Sequence, residues 1–209
     1  MRRLLAFTVL PLALFGCGDP DAGKLFADMQ YGTACPSSNH CEGPEDRDIC
    51  GINGGMVCEG FEGVTRASCT VVEDGAGNYL LDFSVDQGLG YSLTVSQAMV
   101  PMTGGFAVGT NCSVSVSEGV NRYSASCIQQ DPIGSTMEGT ATPGCRLSEV
   151  TFQDDEGNPT ISGRIECRDM PNQANRDLQL DVNAVGSSPT NRADPGRFRL
   201  VNCQGLEFE

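Results

Sequence analysis

From about Gly60 onward, apolar and polar residues alternate with a period of two. Leu81, Phe83 and Val85 alternate with Asp82, Ser84 and Asp86; Ile161, Gly163 and Ile165 alternate with Ser162, Arg164 and Glu166; Leu178, Leu180, Val182 and Ala184 alternate with Gln179, Asp181 and Asn183. Successive side chains of an extended backbone point to opposite faces, so these runs predict strands with one face in a core and the other in water. No window of comparable length places apolar residues at helical spacing without a Gly or Pro interrupting it, and no long helix is expected. Gly, Ser, Thr, Asn and Pro recur between the apolar runs, with 26 glycines in 209 residues. The pattern predicts an all-β domain over residues 59–209, an antiparallel β-sandwich or open barrel of roughly ten short strands.

Two hairpins can be placed by symmetry. Cys112 and Cys127 are equidistant from the pair Gly119-Val120, and a two-residue loop with Gly first suits a type II′ turn. In that register Cys112, Val114 and Val116 oppose Cys127, Ala125 and Tyr123. Cys145 and Cys167 are equidistant from Glu156, which leaves Asp155-Glu156-Gly157 as a three-residue loop and sets Leu147 opposite Ile165. Directly opposed residues of an antiparallel pair have Cα atoms about 4.5–5.5 Å apart, within the range a disulfide accepts. Bridges Cys112–Cys127 and Cys145–Cys167 are therefore predicted. A loose echo, Phe106 to Cys112 against Phe198 to Cys203, raises the possibility of two related β units.

The N-terminal third has a different character. Met1-Arg2-Arg3 followed by an apolar run from Leu4 to Leu14 has the form of a signal peptide, 1–16, too short to span a bilayer as a mature helix. Its end, Leu14-Phe15-Gly16-Cys17, resembles the lipobox of bacterial lipoproteins, with Phe15 departing from the usual small residue. The resemblance implies that Cys17 is lipidated and becomes the mature N-terminus. Residues 17–34 carry Asp19, Asp21 and Asp28 with few aliphatic side chains and read as an acidic tether, whose coil would reach roughly 20–25 Å. Residues 35–58 hold Cys35, Cys41, Cys50 and Cys58 among Pro, Gly and acids. So short a segment with so little apolar surface needs bridges for its order.

Cysteine parity supports this division. There are eleven cysteines, and setting Cys17 aside leaves an even ten: Cys35, Cys41, Cys50, Cys58, Cys69, Cys112, Cys127, Cys145, Cys167 and Cys203. In an oxidising compartment these can close five disulfides, six of the cysteines remaining open in connectivity. The competing zinc cluster of Cys35, His40, Cys41, Cys50 and Cys58 lacks the close C-x-x-C pairs of such sites, so neither a metal nor a cofactor is expected.

Charge narrows the partners. Thirteen Lys and Arg against 27 Asp and Glu give a formal charge of −14. Nucleic acid is excluded as a partner, because binding it needs clustered cations to displace phosphate counterions, and membrane attachment falls to the acyl chains. Gly-x-Ser-x-Gly is absent and His40 is the single histidine, which leaves little for a Ser-His-Asp hydrolase. Acidic runs at Glu42 to Asp48 and Asp154 to Glu156 read as solvated turns, with calcium as the alternative. Arg192, Arg197 and Arg199 surround Asp194-Pro195-Gly196 and could meet an acidic ligand or pair with the chain's own acids. Phe61, Tyr79, Tyr91 and Tyr123 are too scattered to suggest a stacking platform.

The lipobox, the cysteine-capped strands and the ending Phe198-x-x-x-Asn202-Cys203 together resemble the uncharacterised cysteine-rich lipoproteins of myxobacteria and their relatives, a likeness that implies no activity. The expected function is a lipid-anchored binding or scaffolding module of the cell envelope, at the outer membrane. Two alternatives stand beside it: a carboxylate-dependent hydrolase, which requires a cleft with two acids and one raised pKa, and a structural spacer.

Overall fold

The computed structural model describes residues 23–34, 45–52, 58–59, 61–107, 109, 111–129, 143–182 and 196–207, and all of its regular structure is β. Eleven strands run in chain order: β1 (Phe26–Ala34), β2 (Glu45–Ile52), β3 (Arg66–Glu73), β4 (Asn78–Gly88), β5 (Tyr91–Pro101), β6 (Ser113–Glu118), β7 (Asn121–Ser126), β8 (Gly144–Asp155), β9 (Asn158–Pro171), β10 (Gln179–Val182) and β11 (Arg197–Val201). Five of them, β3 to β7, form a meander in chain order; the other six form a second antiparallel sheet. The two sheets face each other as a sandwich. Their inward residues follow the alternation read from sequence: Leu81, Phe83 and Val85 from one sheet and Ile161, Ile165, Leu180 and Leu200 from the other are all buried. The ring of Phe83 lies 5.0 Å from that of Phe198, and Tyr79 4.7 Å from Phe152, tying the layers through aromatic contacts.

The six-stranded sheet has an unusual middle. β1 pairs with β11 through Phe26 to Met29 and with β10 through Thr33 and Ala34, while β9 pairs with β11 through Thr160 to Arg164 and with β10 through Cys167 to Pro171. Thus β10 and β11 lie end to end in one slot between β1 and β9.

Four disulfides join described residues: Cys50–Cys58, Cys69–Cys203, Cys112–Cys127 and Cys145–Cys167. Cys35 and Cys41, like Cys17 and His40, lie outside the described residues. Each sheet edge is at least partly covered. The C-terminal tail covers β3 through Gln204, pinned by Cys69–Cys203. The segment around Glu62 runs beside β2, pinned by Cys50–Cys58. Gly105, Ala107 and Ile128 cap β8, and Gln173 donates to the Arg122 carbonyl beyond β7. Unpaired strand edges invite pairing with other chains, and here covalent bridges help to close them.

Sequence and structure part at three points. First, the expected tether 17–34 ends in β1, an interior strand pairing with β2 on one side and β10 and β11 on the other. Ala27, Met29 and Tyr31 are buried, and two-sided pairing stabilises a strand whose side chains alone carry little aliphatic surface. Second, the β domain does not begin at 59, since β2, drawn from the expected disulfide segment 35–58, belongs to the same sheet; nine strands, not ten, are described beyond residue 59. Third, the β8–β9 loop has two residues, not three. Asp155 pairs with Asn158, and Glu156 and Gly157 both have positive φ, 55° and 84°, as a type I′ turn requires. The cysteine register still holds because β8 carries a bulge: Glu149, at φ 53°, and Val150 together oppose Gly163. The β6–β7 hairpin matches its expected register throughout, turning at Gly119 with φ 59°.

Candidate functional site

The outer face of the six-stranded sheet is hollowed at the bulge. Register alone defines two rows of outward side chains. Asp28 on β1 pairs with Arg199 on β11, Arg199 with Ser162 on β9, and Ser162 with Thr151 on β8. One step along, Arg197 pairs with Arg164, flanked by Gln30 on β1 and Glu149 on β8. The backbone at Gly163 and Phe198 forms the floor, the Phe198 ring lying on the core side, and Phe61 a wall of a cleft of about 580 Å³. Gly163 is required there: a Cβ on it would stand 2.7 Å from the Phe198 ring and 3.1 Å from Val150.

Three guanidinium groups thus converge in a chain with 27 acidic residues. Arg197 and Arg164 face each other directly across β11 and β9, an arrangement of like charges that costs stability. Carboxylates offset it: Arg164 pairs with Glu149 at 2.7 Å and Arg199 with Asp155 at 2.5 Å. Both pairs are substantially exposed, so water screens them and each contributes little. Ser162 and Thr151 share a hydrogen bond at 2.9 Å. Burial pushes the Asp28 carboxyl above the usual carboxylate range, Arg199 opposes this, and Asp48 adds to it.

A second hollow of about 350 Å³ adjoins the first, lined by Phe26, Asp155, Glu156, Asn158, Arg199 and Val201. Arg199 borders both.

Of the arginines noted in sequence, Arg197 and Arg199 enter the cleft, while Arg192 lies outside the described residues. The run Asp154 to Glu156 is committed to other work: Asp154 Oδ1 accepts from the Gly157 amide at 2.7 Å and Asp155 holds Arg199. Among the described residues no cluster of three or more His, Cys, Asp or Glu is disposed to hold a metal ion. Arg164, Glu149 and Asp28 were not singled out as one group from sequence: Arg164 and Glu149 share the β8–β9 hairpin, but the bulge that brings them together was not legible, and Asp28 sits on β1, distant in the chain. A scan of family models and searches of curated proteins and of solved structures return no match.

Proposed function

We propose that the chain is an exported, lipid-anchored protein of the bacterial cell envelope, held at the outer membrane through Cys17, and that it works as a binding module with its ligand on the outer face of the six-stranded sheet. The observation that carries the binding reading is the convergence of Arg164, Arg197 and Arg199 on one walled cleft in a strongly acidic protein. Ligand sites are concave and combine apolar walls with a few convergent polar groups; Phe61 supplies the first, the arginines and the Thr151–Ser162 pair the second. With each sheet edge partly covered, strand addition has less open edge to use and a face site is favoured. Two measurements test the reading. Mass spectrometry of the N-terminal peptide should find acylated Cys17, and an unmodified N-terminus elsewhere would refute the anchor. A thermal-shift panel of oligosaccharides and short peptides should yield stabilising compounds whose effect disappears in Arg197→Ala; stabilisation indifferent to that change would move the site elsewhere.

One observation favours a second reading, a carboxylate-dependent hydrolase. Asp28 and Asp48 are diagonal neighbours on β1 and β2, since Asp28 pairs with Cys50 and Gln30 with Asp48; the Cα atoms of such positions lie about 7–8 Å apart, close enough for two carboxyls to take the spacing that inverting glycosidases use. The raised Asp28 carboxyl would be the general acid. Asp28→Asn should then abolish hydrolysis of a bound glycan while leaving its binding intact, and turnover surviving in that variant would sink this reading.

A further inference from the structure

We propose that the cleft takes a linear acidic polysaccharide, with sugar carboxylates seated on Arg164, Arg197 and Arg199 and the chain running past Arg199 into the second hollow. The inference rests on the cleft being the binding site.

Anion recognition follows from the cation geometry. Arg197 opposes Arg164 directly, and Arg199 lies two residues along the same strand face, so three forked donors occupy adjacent positions of a rigid sheet. Guanidinium groups bind carboxylates through two parallel hydrogen bonds. Glu149, which pairs with Arg164, and Asp155, which pairs with Arg199, have side chains 66% and 45% exposed. A ligand carboxylate can therefore exchange with either at small cost. Exchange at Arg199 has a second effect. Asp155 lines only the second hollow, whereas Arg199 borders both; releasing Asp155 joins about 580 and 350 Å³ into one groove.

A sugar chain suits this groove better than a peptide. Its hydroxyls find the Thr151 and Ser162 hydroxyls and the amides of Gln30 and Asn158, and Phe61 supplies an apolar wall. An extended peptide is usually gripped through backbone pairing at a sheet edge, and each of these edges is partly covered, by Cys58 and Glu62, Gly105, Ala107 and Ile128, Gln173, and Gln204. The groove is lined by outward side chains of β1, β8, β9 and β11, and its central strands β9 and β11 are paired on both sides.

The test is isothermal titration of the mature chain with oligogalacturonate, with its fully methyl-esterified form, and with oligoglutamate of matched charge. Oligogalacturonate should bind at least tenfold tighter than the ester. Arg197→Ala and Arg164→Gln, with unfolding transitions unchanged, should each weaken acid binding about tenfold, the worth of one lost charge-assisted pair. Asp155→Asn should strengthen it a few-fold by removing a competitor. Equal affinity for acid and ester, still sensitive to Arg197, would overturn the anionic class and leave the cleft standing. Oligoglutamate binding as tightly as oligogalacturonate would overturn the polysaccharide. Binding indifferent to both arginine variants would overturn the cleft itself. No binding of oligogalacturonate would overturn this inference, and the thermal-shift panel would then decide the cleft independently.

Discussion

Gly163→Ala separates two effects of opposite sign. Gly163 sits in the interior of β9 with ordinary extended backbone, so alanine is allowed there by conformation. On backbone entropy alone the change should stabilise the fold by about 0.4–1 kcal/mol, because alanine narrows the unfolded ensemble. Packing predicts the reverse. The added Cβ would meet two Phe198 ring carbons at 2.7 and 2.9 Å and a Val150 methyl at 3.1 Å. Phe198 cannot swing aside freely, being 1% exposed with its ring 5.0 Å from Phe83 of the facing sheet. Overpacking a filled core costs roughly 1–3 kcal/mol, which leaves a net loss of about 1–2 kcal/mol. For a domain of this size that lowers Tm by roughly 2–8 °C, measured by circular dichroism under oxidising conditions with urea unfolding as a second reading. Phe198→Leu should partly relieve the clash, so the double variant should lose less than the two single losses combined, with a coupling of about 0.5 kcal/mol or more. A Tm in Gly163→Ala equal to or above wild type would refute the steric account and show that the cleft floor yields.

Other expectations follow from the same physical terms. Removing Cys69–Cys203, whose ends are 134 residues apart, should cost about 5 kcal/mol on loop entropy, against about 2.5 kcal/mol for Cys50–Cys58 with a separation of 8; paired Cys→Ser variants compared in urea should preserve that ranking. Leu89 is 95% exposed and held at φ 55°, so Leu89→Asn should raise stability by about 1 kcal/mol, since asparagine tolerates the left-handed region and little packing is lost. Burial raises the Asp181 carboxyl above its ordinary value of 3.8, opposed by the Asp169 amide and Arg168. The folded state therefore holds that proton more tightly, and the stability linked to it is greatest below pH 3.8 and declines as pH rises through the folded pKa. Wild type should accordingly lose stability relative to Asp181→Asn across that window, and a difference independent of pH would contradict the assignment.

Much of the fold was legible because its signals are local. The β6–β7 hairpin carries a turn glycine, two flanking cysteines at equal distance and an uninterrupted ladder, so one register satisfies all three. In β8–β9 the cysteine pairing was legible but the loop was not. The bulge at Glu149 keeps both Leu147 and Val150 buried while Val150 bonds Gly105, and that edge contact comes from a segment some forty residues away in the chain. β1 did alternate, with Ala27, Met29 and Tyr31 against Asp28, Gln30 and Gly32. Its weak hydrophobicity and three nearby aspartates disguised a strand whose support comes from neighbours on both sides. The candidate site was half visible: Arg197 and Arg199 share a strand face by spacing alone, whereas Arg164 joins them only through the pairing of β9 with β11.

The slot shared by β10 and β11 sets an order of assembly. A ribosome releases β1 first of the strands, yet its partners β10 and β11 follow only after eight others. Until they arrive, Ala27, Met29 and Tyr31 have only β2 to shield them, and non-local pairing of this kind slows folding and lengthens exposure to wrong partners. Cysteine chemistry feels the same delay. Cys112 and Cys127, and Cys145 and Cys167, emerge close together and can join as soon as each hairpin closes, but Cys69 must wait for Cys203, 134 residues later. During that wait Cys50 and Cys58, made earlier, are the competitors nearest to Cys69 in the chain, so efficient maturation should depend on thiol–disulfide exchange late in biogenesis, when β11 docks.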